Sequence, residues 1–122
     1  MLALLETVVA QGQPAYQNDL DTRLKAERAL QLAIQICIDI GAHLIAELGL
    51  DAPSDYRGVF RSLQGAEIIE PQLATRLGDA AGLRNLLVHG YADLDDSAVW
   101  ESFARLDDLR AFAAVAAGQA ER

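Results

Sequence analysis

Between Arg84 and Tyr91 the chain reads RNLLVHGY, with an arginine, an asparagine, a histidine and a tyrosine around a short apolar run. The Arg84 guanidinium stays charged and can grip a phosphate through two parallel hydrogen bonds. The His89 imidazole, with an unperturbed pKa of about 6.5, can take or give a proton near neutral pH. Such a pair suits work on a phosphate ester, which needs a proton carrier and positive charge where negative charge builds. Five residues on a regular helix give a rotation of about 140° and a rise of about 7.5 Å, so the two groups do not stack on one face. Arg84 shares its face with Leu87 and Val88, and its stem can lie on apolar surface while the head reaches out. Gly90 lets the helix stop at or just after His89, leaving the imidazole at a terminus. A purely structural account uses the same residues: His89 favoured by the helix dipole, Arg84 paired with a carboxylate. On spacing alone the structural account is the stronger of the two.

Apolar residues recur at helical spacing nearly everywhere along the chain. Leu20, Leu24, Leu30, Ile34, Cys37, Ile38, Leu44, Ile45 and Leu48 predict one long amphipathic helix from Asn18 to about Gly49, capped by Asn18 or Asp19. Before it, Leu2 to Gln11 reads as a short helix closed by GQP. After it, DAPS supplies Ser54 as the cap of a third helix running to Leu63. A fourth starts near Pro71, well suited to a first helical position, and runs into RNLLVH. Asp95 or Asp96 then caps a last helix through Val99, Phe103, Leu106, Leu109, Phe112 and Val115. No run alternates like a half-buried strand, so the fold class is an all-α, antiparallel bundle of four or five helices. In the fourth helix Ala74, Gly78, Ala81 and Gly82 put small residues on adjoining positions, which calls for close approach by another helix, in the same bundle or in a second copy.

The bulk properties narrow the partners. The 122 residues fit one domain, 1–122, with a single core, and 52% hydrophobic with 23% charged residues excludes disorder. Lys and Arg number 10 against 18 Asp and Glu, a formal charge of −8, which argues against non-specific binding to nucleic acid or anionic lipid. Any nucleic-acid contact must be a local arginine pocket. Cys37 is the single cysteine, so an intrachain disulfide and a thiolate zinc site are both excluded. MLALLETVVA makes a poor signal peptide, and no stretch approaches the roughly 18 apolar residues a membrane span needs. A cytoplasmic protein without membrane contact is expected.

Other candidates have ordinary readings. Asp39 and His43 are four apart, a spacing open to two metal ligands but better suited to a hydrogen-bonded pair. Arg23 and Glu27 read as an ion pair on the helix surface. Arg57 and Arg61 share a face of the third helix and can extend a phosphate track, with a solvated face as the default. No Gly-rich phosphate loop, serine triad or carboxylate set for nucleotidyl transfer is present, so no cofactor and no metal are expected.

RNLLVHGY has the Arg-polar-x-x-x-His pattern of the HEPN ribonuclease superfamily, followed by the tyrosine that marks HepT-like toxins. ERALQLAIQICIDIGAHLIAELGL resembles that family's long second helix. PSDYRGVFRSL, LGDAAGLRNLLVHGY and AVWESFARLDDLRAF follow in the family's order, so the resemblance covers about Arg23 to Ala113. The first helix is short for the family.

The resemblance implies a metal-independent endoribonuclease toxin acting on RNA as a homodimer, with the cleft between the two motif helices. Arg84 and His89 are then catalytic. Asn85 orients Arg84 or a phosphate oxygen, or packs as an ordinary helix residue, and Asp39 supports the site from behind. Tyr91, taken alone, is an aromatic packed on the bundle end. By resemblance it is the acceptor for AMP transferred by a cognate minimal nucleotidyltransferase antitoxin. The alternative is a non-catalytic HEPN dimer that binds a nucleotide or a partner protein. The intact Arg84, Asn85 and His89 favour the enzyme.

Overall fold

The computed structural model describes residues 2–89, 99–100 and 102–120. The all-α expectation is borne out, and there is no strand among the described residues. The elements are α1 (Leu2–Gln11), α2 (Gln13–Asn18), α3 (Leu20–Glu47), α4 (Tyr56–Gly65), α5 (Pro71–His89), a 3₁₀ turn (Phe103–Arg105) and α6 (Leu106–Ala120).

α2 is an addition to the predicted elements. GQP does not simply close the first helix: Gly12 takes φ 88°, and the chain turns straight into a new helix with Pro14 in its first turn. There the missing proline N–H has no helical partner to lose. Six residues are too few for a periodic pattern to show. The turn buries Tyr16 completely, its ring 5.4 Å from that of Trp100 and 5.3 Å from that of Phe103.

α3 is the spine against which α1, α2, α4, α5 and α6 all pack. Its cap is Asp19, whose carboxylate accepts from the Asp21 and Thr22 N–H groups and, at 2.8 Å, from the Thr22 hydroxyl. The Thr22 side-chain and backbone bonds hold that carboxyl below its usual range. Ile34, Cys37, Ile38, Leu44 and Ile45 are buried as their spacing predicts, but Leu20 and Leu24 are exposed. Glu27 corrects the sequence in the other direction. It does not lie on the surface: it is only 4% exposed, and it accepts from the Tyr16 phenol at 3.2 Å. By length and apolar content α3 also passes as a membrane span, contrary to the expectation that no stretch does; half of its most apolar window is buried inside the bundle.

α4 starts two residues later than Ser54, because Asp55 is the cap and accepts from the Gly58 N–H at 2.6 Å. Val59, Phe60 and Leu63 face the core. At the crossing with α3, Gly41 leaves room that a side chain would fill: a Cβ there would stand 2.6 Å from Val59 Cγ1.

The small-residue face of α5 is approached from within the chain. Arg57 of α4 lies over it, so that a Cβ on Gly82 would stand 2.9 Å from Arg57 Nη2 and one on Gly78 would stand 3.4 Å from Nη1. Arg57 is fixed in turn by Asp79 at 3.0 Å. Arg76 Nε bonds Asp108 at 2.9 Å and ties α5 to α6. The predicted last helix is broken by the 3₁₀ turn, yet Val99, Phe103, Leu106, Leu109 and Phe112 are all buried. Phe112 meets Phe60 edge-on at 5.5 Å. The cap residues Asp95 and Asp96 lie outside the described residues.

Candidate active site on the fifth helix

α5 is helical without a break through His89, so Arg84 and His89 keep the expected separation of about 140° and about 7.5 Å along the axis. Leu87 is buried and Val88 half-buried, which anchors this last stretch in the bundle. The side chain of His89 and the whole of Tyr91 lie outside the described residues.

Arg84 is half-buried and points its guanidinium toward the start of α4. Its Cζ stands 5.2 Å from the centre of the Tyr56 ring. Nη1 donates to Asn85 Oδ1 at 3.3 Å, so the neighbouring amide is turned onto the guanidinium. Nε is shielded from solvent and has no hydrogen-bond partner. Among the described residues no carboxylate pairs with Arg84, whereas Arg57, Arg61, Arg76 and Arg110 all have acidic partners. The structural account, which needs a carboxylate on Arg84, finds none among the described residues. An arginine with no carboxylate on it among the described residues, an aromatic face against it and an amide beside it can receive an external anion.

Asp39 is bonded within its own helix. Gln35 Nε2 donates to its Oδ1 at 2.8 Å, while His43 Nε2 pairs with Glu47 at 3.0 Å. The anticipated Asp39–His43 bond is therefore not made; each residue has a partner four positions away on its other side. Asp39 and His43 line a depression with Glu47 of α3 and with Ala116 and Gln119 of α6, none of them a partner of Arg84. Among the described residues there is no cluster of three or more His, Cys, Asp or Glu side chains that could hold a metal ion. Arg57 and Arg61 border a shallow groove with Ala74, Thr75 and Gly78, each held by an aspartate at 3.0 and 3.4 Å.

Tyr56 is the residue that sequence reasoning missed. Its one local signal is an aromatic at the start of a short helix. Its approach to Arg84 depends on how α4 and α5 pair, which no spacing within either helix shows.

The bundle with this motif helix has known relatives. A tri-AMPylated HEPN toxin of Shewanella oneidensis, solved in complex with MNT antitoxin, superposes with a TM-score of 0.86 at 27% identity, covering 93% of this chain and 86% of that one. The architecture is thus that of the HEPN toxins. A family model described as Ribonuclease HepT-like matches residues 1–116, and the chain belongs to that family. Two relatives are a tRNA nuclease HepT of Aphanizomenon flos-aquae, 35% identical over 85 residues, and an mRNA nuclease HepT of Shewanella oneidensis, 33% identical over 84. These alignments take in 70% and 68% of this chain but only 58% and 63% of the two relatives' own lengths.

Proposed function

We propose that the chain is the toxin of a toxin–antitoxin pair and cleaves RNA without a metal, through Arg84 and His89. The observation that carries the reading is the Arg84 guanidinium, buttressed by Tyr56 and Asn85 and without a carboxylate among the described residues, on the helix that ends in His89. The names of the two relatives, a tRNA and an mRNA nuclease, support RNA as the substrate.

In this reading a base takes the proton of a ribose 2′-hydroxyl, and the oxygen forms a bond to the adjacent phosphorus. The bond to the 5′-oxygen breaks, an acid protonates that oxygen, and a cyclic phosphate remains on the upstream fragment. Arg84 holds the non-bridging oxygens as their charge grows. His89 serves as base or acid. One chain offers one motif histidine, so a two-fold homodimer supplies the second histidine and a second arginine. Such a site is small enough to coexist with the net charge of −8.

The AMPylated relative in complex with MNT antitoxin supports a minimal nucleotidyltransferase as partner and Tyr91 as acceptor. The phenol oxygen would attack the α-phosphate of ATP and release pyrophosphate, its proton passing to a base of the partner. The added phosphate beside Arg84 would occupy the place of the RNA backbone. Both partners would act in the cytoplasm.

The test is incubation of RNA with the protein in excess EDTA, beside Arg84→Ala and His89→Ala. Wild type should leave cyclic phosphate ends, and both variants should stay folded and inactive. A wild type that cuts no RNA would move the reading to a HEPN dimer that only binds a nucleotide or partner. For Tyr91, intact mass after co-expression with the nucleotidyltransferase should show added AMP on wild type and none on Tyr91→Phe.

A further inference from the structure

Arg84 differs from Arg57, Arg61 and Arg76 in what holds it. Arg57, Arg61 and Arg76 are each held by an aspartate, which fixes the guanidinium and also neutralises it. An arginine that must receive a phosphate cannot be neutralised so without competition from its own partner. Yet left loose it would spend most of its rotamers away from the substrate. An aromatic face resolves that conflict, since it attracts the cation without offering an acceptor oxygen and leaves the N–H edge free.

We infer that Tyr56 is a positioning residue for catalysis, its ring holding the Arg84 guanidinium at the angle in which the outer N–H groups meet the scissile phosphate. The inference rests on the ribonuclease reading of Arg84. Three features of the site carry it. The ring centre is 5.2 Å from Arg84 Cζ. Nε is buried without a hydrogen-bond partner, so hydrogen bonding does not fix the inner half of the guanidinium and packing against neighbours must. The Asn85 amide takes one Nη1 proton at 3.3 Å and no carboxylate among the described residues takes the rest. Tyr56 itself is the first residue of α4, anchored by the Asp55 cap, and is 37% exposed. Its removal therefore leaves no hole in the core, and a loss of activity would not reflect a loss of fold.

The ring makes the contact, so Tyr56→Phe should work nearly as well as wild type. Tyr56→Leu should fold with unchanged thermal stability but lower kcat roughly tenfold to a hundredfold, the scale expected of a misplaced catalytic group, while KM moves by less than about threefold. A second readout does not need activity. The buried Arg84 Nε–H should give a slowly exchanging 15N-correlated resonance, identified by its absence in Arg84→Lys. It should persist in Tyr56→Phe and broaden with solvent exchange in Tyr56→Leu. A Tyr56→Leu protein with wild-type kcat, or with the Nε–H resonance unaltered, overturns the inference and leaves the nuclease standing. If wild type cuts no RNA, the nuclease reading falls, and the resonance still decides whether Tyr56 holds Arg84.

Discussion

The phenol of Tyr16 and the carboxylate of Glu27 meet at 3.2 Å inside the bundle and join the short second helix to the long third one. Tyr16 is fully buried and its ring also packs on Trp100 and Phe103, so one residue links α2, α3 and the segment before α6. Removing only the hydroxyl, in Tyr16→Phe, should cost about 1–2 kcal/mol, since the ring contacts survive and a buried carboxylate loses a donor. Tyr16→Ala should cost about 3–5 kcal/mol through the cavity it leaves. Urea denaturation of the two variants separates the terms. A Phe variant as stable as wild type would show that the bond contributes nothing.

Gly41 sets the distance between α3 and α4. A methyl group there would meet Val59 Cγ1 at 2.6 Å, and Val59 sits in a helix where its side chain has one strongly preferred rotamer and cannot swing away. Gly41→Ala should gain about 1 kcal/mol of helix propensity and lose about 1–3 kcal/mol to overpacking, a net destabilisation. Val59→Ala in the same chain should remove the clash. The double variant should therefore be more stable than the sum of the two single changes predicts, and strict additivity would place the strain elsewhere.

What was legible in the sequence follows from how local each signal is. Ile34, Ile38 and Ile45, or Leu106, Leu109 and Phe112, reveal their helices because one face of a regular helix must meet the core over several turns. Pro71 and Asp19 mark helix starts through their own chemistry. RNLLVHGY was legible for the same reason, as its residues lie within eight positions. Glu27 was not, because its spacing from Arg23 says they share a face but not which face, and the cover over Glu27 comes from a helix too short to be periodic. Asp39 had an equally good partner on either side, and the choice of Gln35 depends on the surroundings of the helix. Tyr56 and the fit of Arg57 over Gly82 are contacts between helices, which the pattern of neither one encodes.

Cys37 gives a pH dependence with a definite sign. Burial pushes its thiol up to about 11 from an ordinary value of 9.0. Between those values the unfolded chain ionises the thiol while the folded chain keeps it protonated, so the unfolded state binds fewer protons and stability falls as pH rises. The contribution is complete below pH 9.0 and lost as pH climbs to about 11, on the order of 2 kcal/mol in all. Comparing denaturation midpoints of wild type and Cys37→Ala from pH 8 to 11 isolates this term from other alkaline titrations. In the same window the native thiol should resist a thiol-specific reagent and react only on unfolding. Rapid labelling of the native protein would contradict the burial.

The proposed sharing of one cleft by two chains makes a quantitative demand on mixed dimers. If the two copies of His89 act as base and acid on one scissile phosphate, a dimer with one His89→Ala chain lacks one of the two roles and should lose about 10²–10⁴-fold in rate. Equal amounts of wild type and His89→Ala, unfolded together and refolded so that chains pair at random, would then contain active dimers as roughly a quarter of the total. Activity should fall to about that fraction of an all-wild-type sample at the same total concentration. Independent sites would give about half, because each wild-type chain would keep its own activity whatever its partner. Light scattering on the same samples verifies that the dimer population is unchanged. A linear dependence of activity on the wild-type fraction would leave Arg84 and His89 as a site within one chain, and the second proton carrier would have to be sought there.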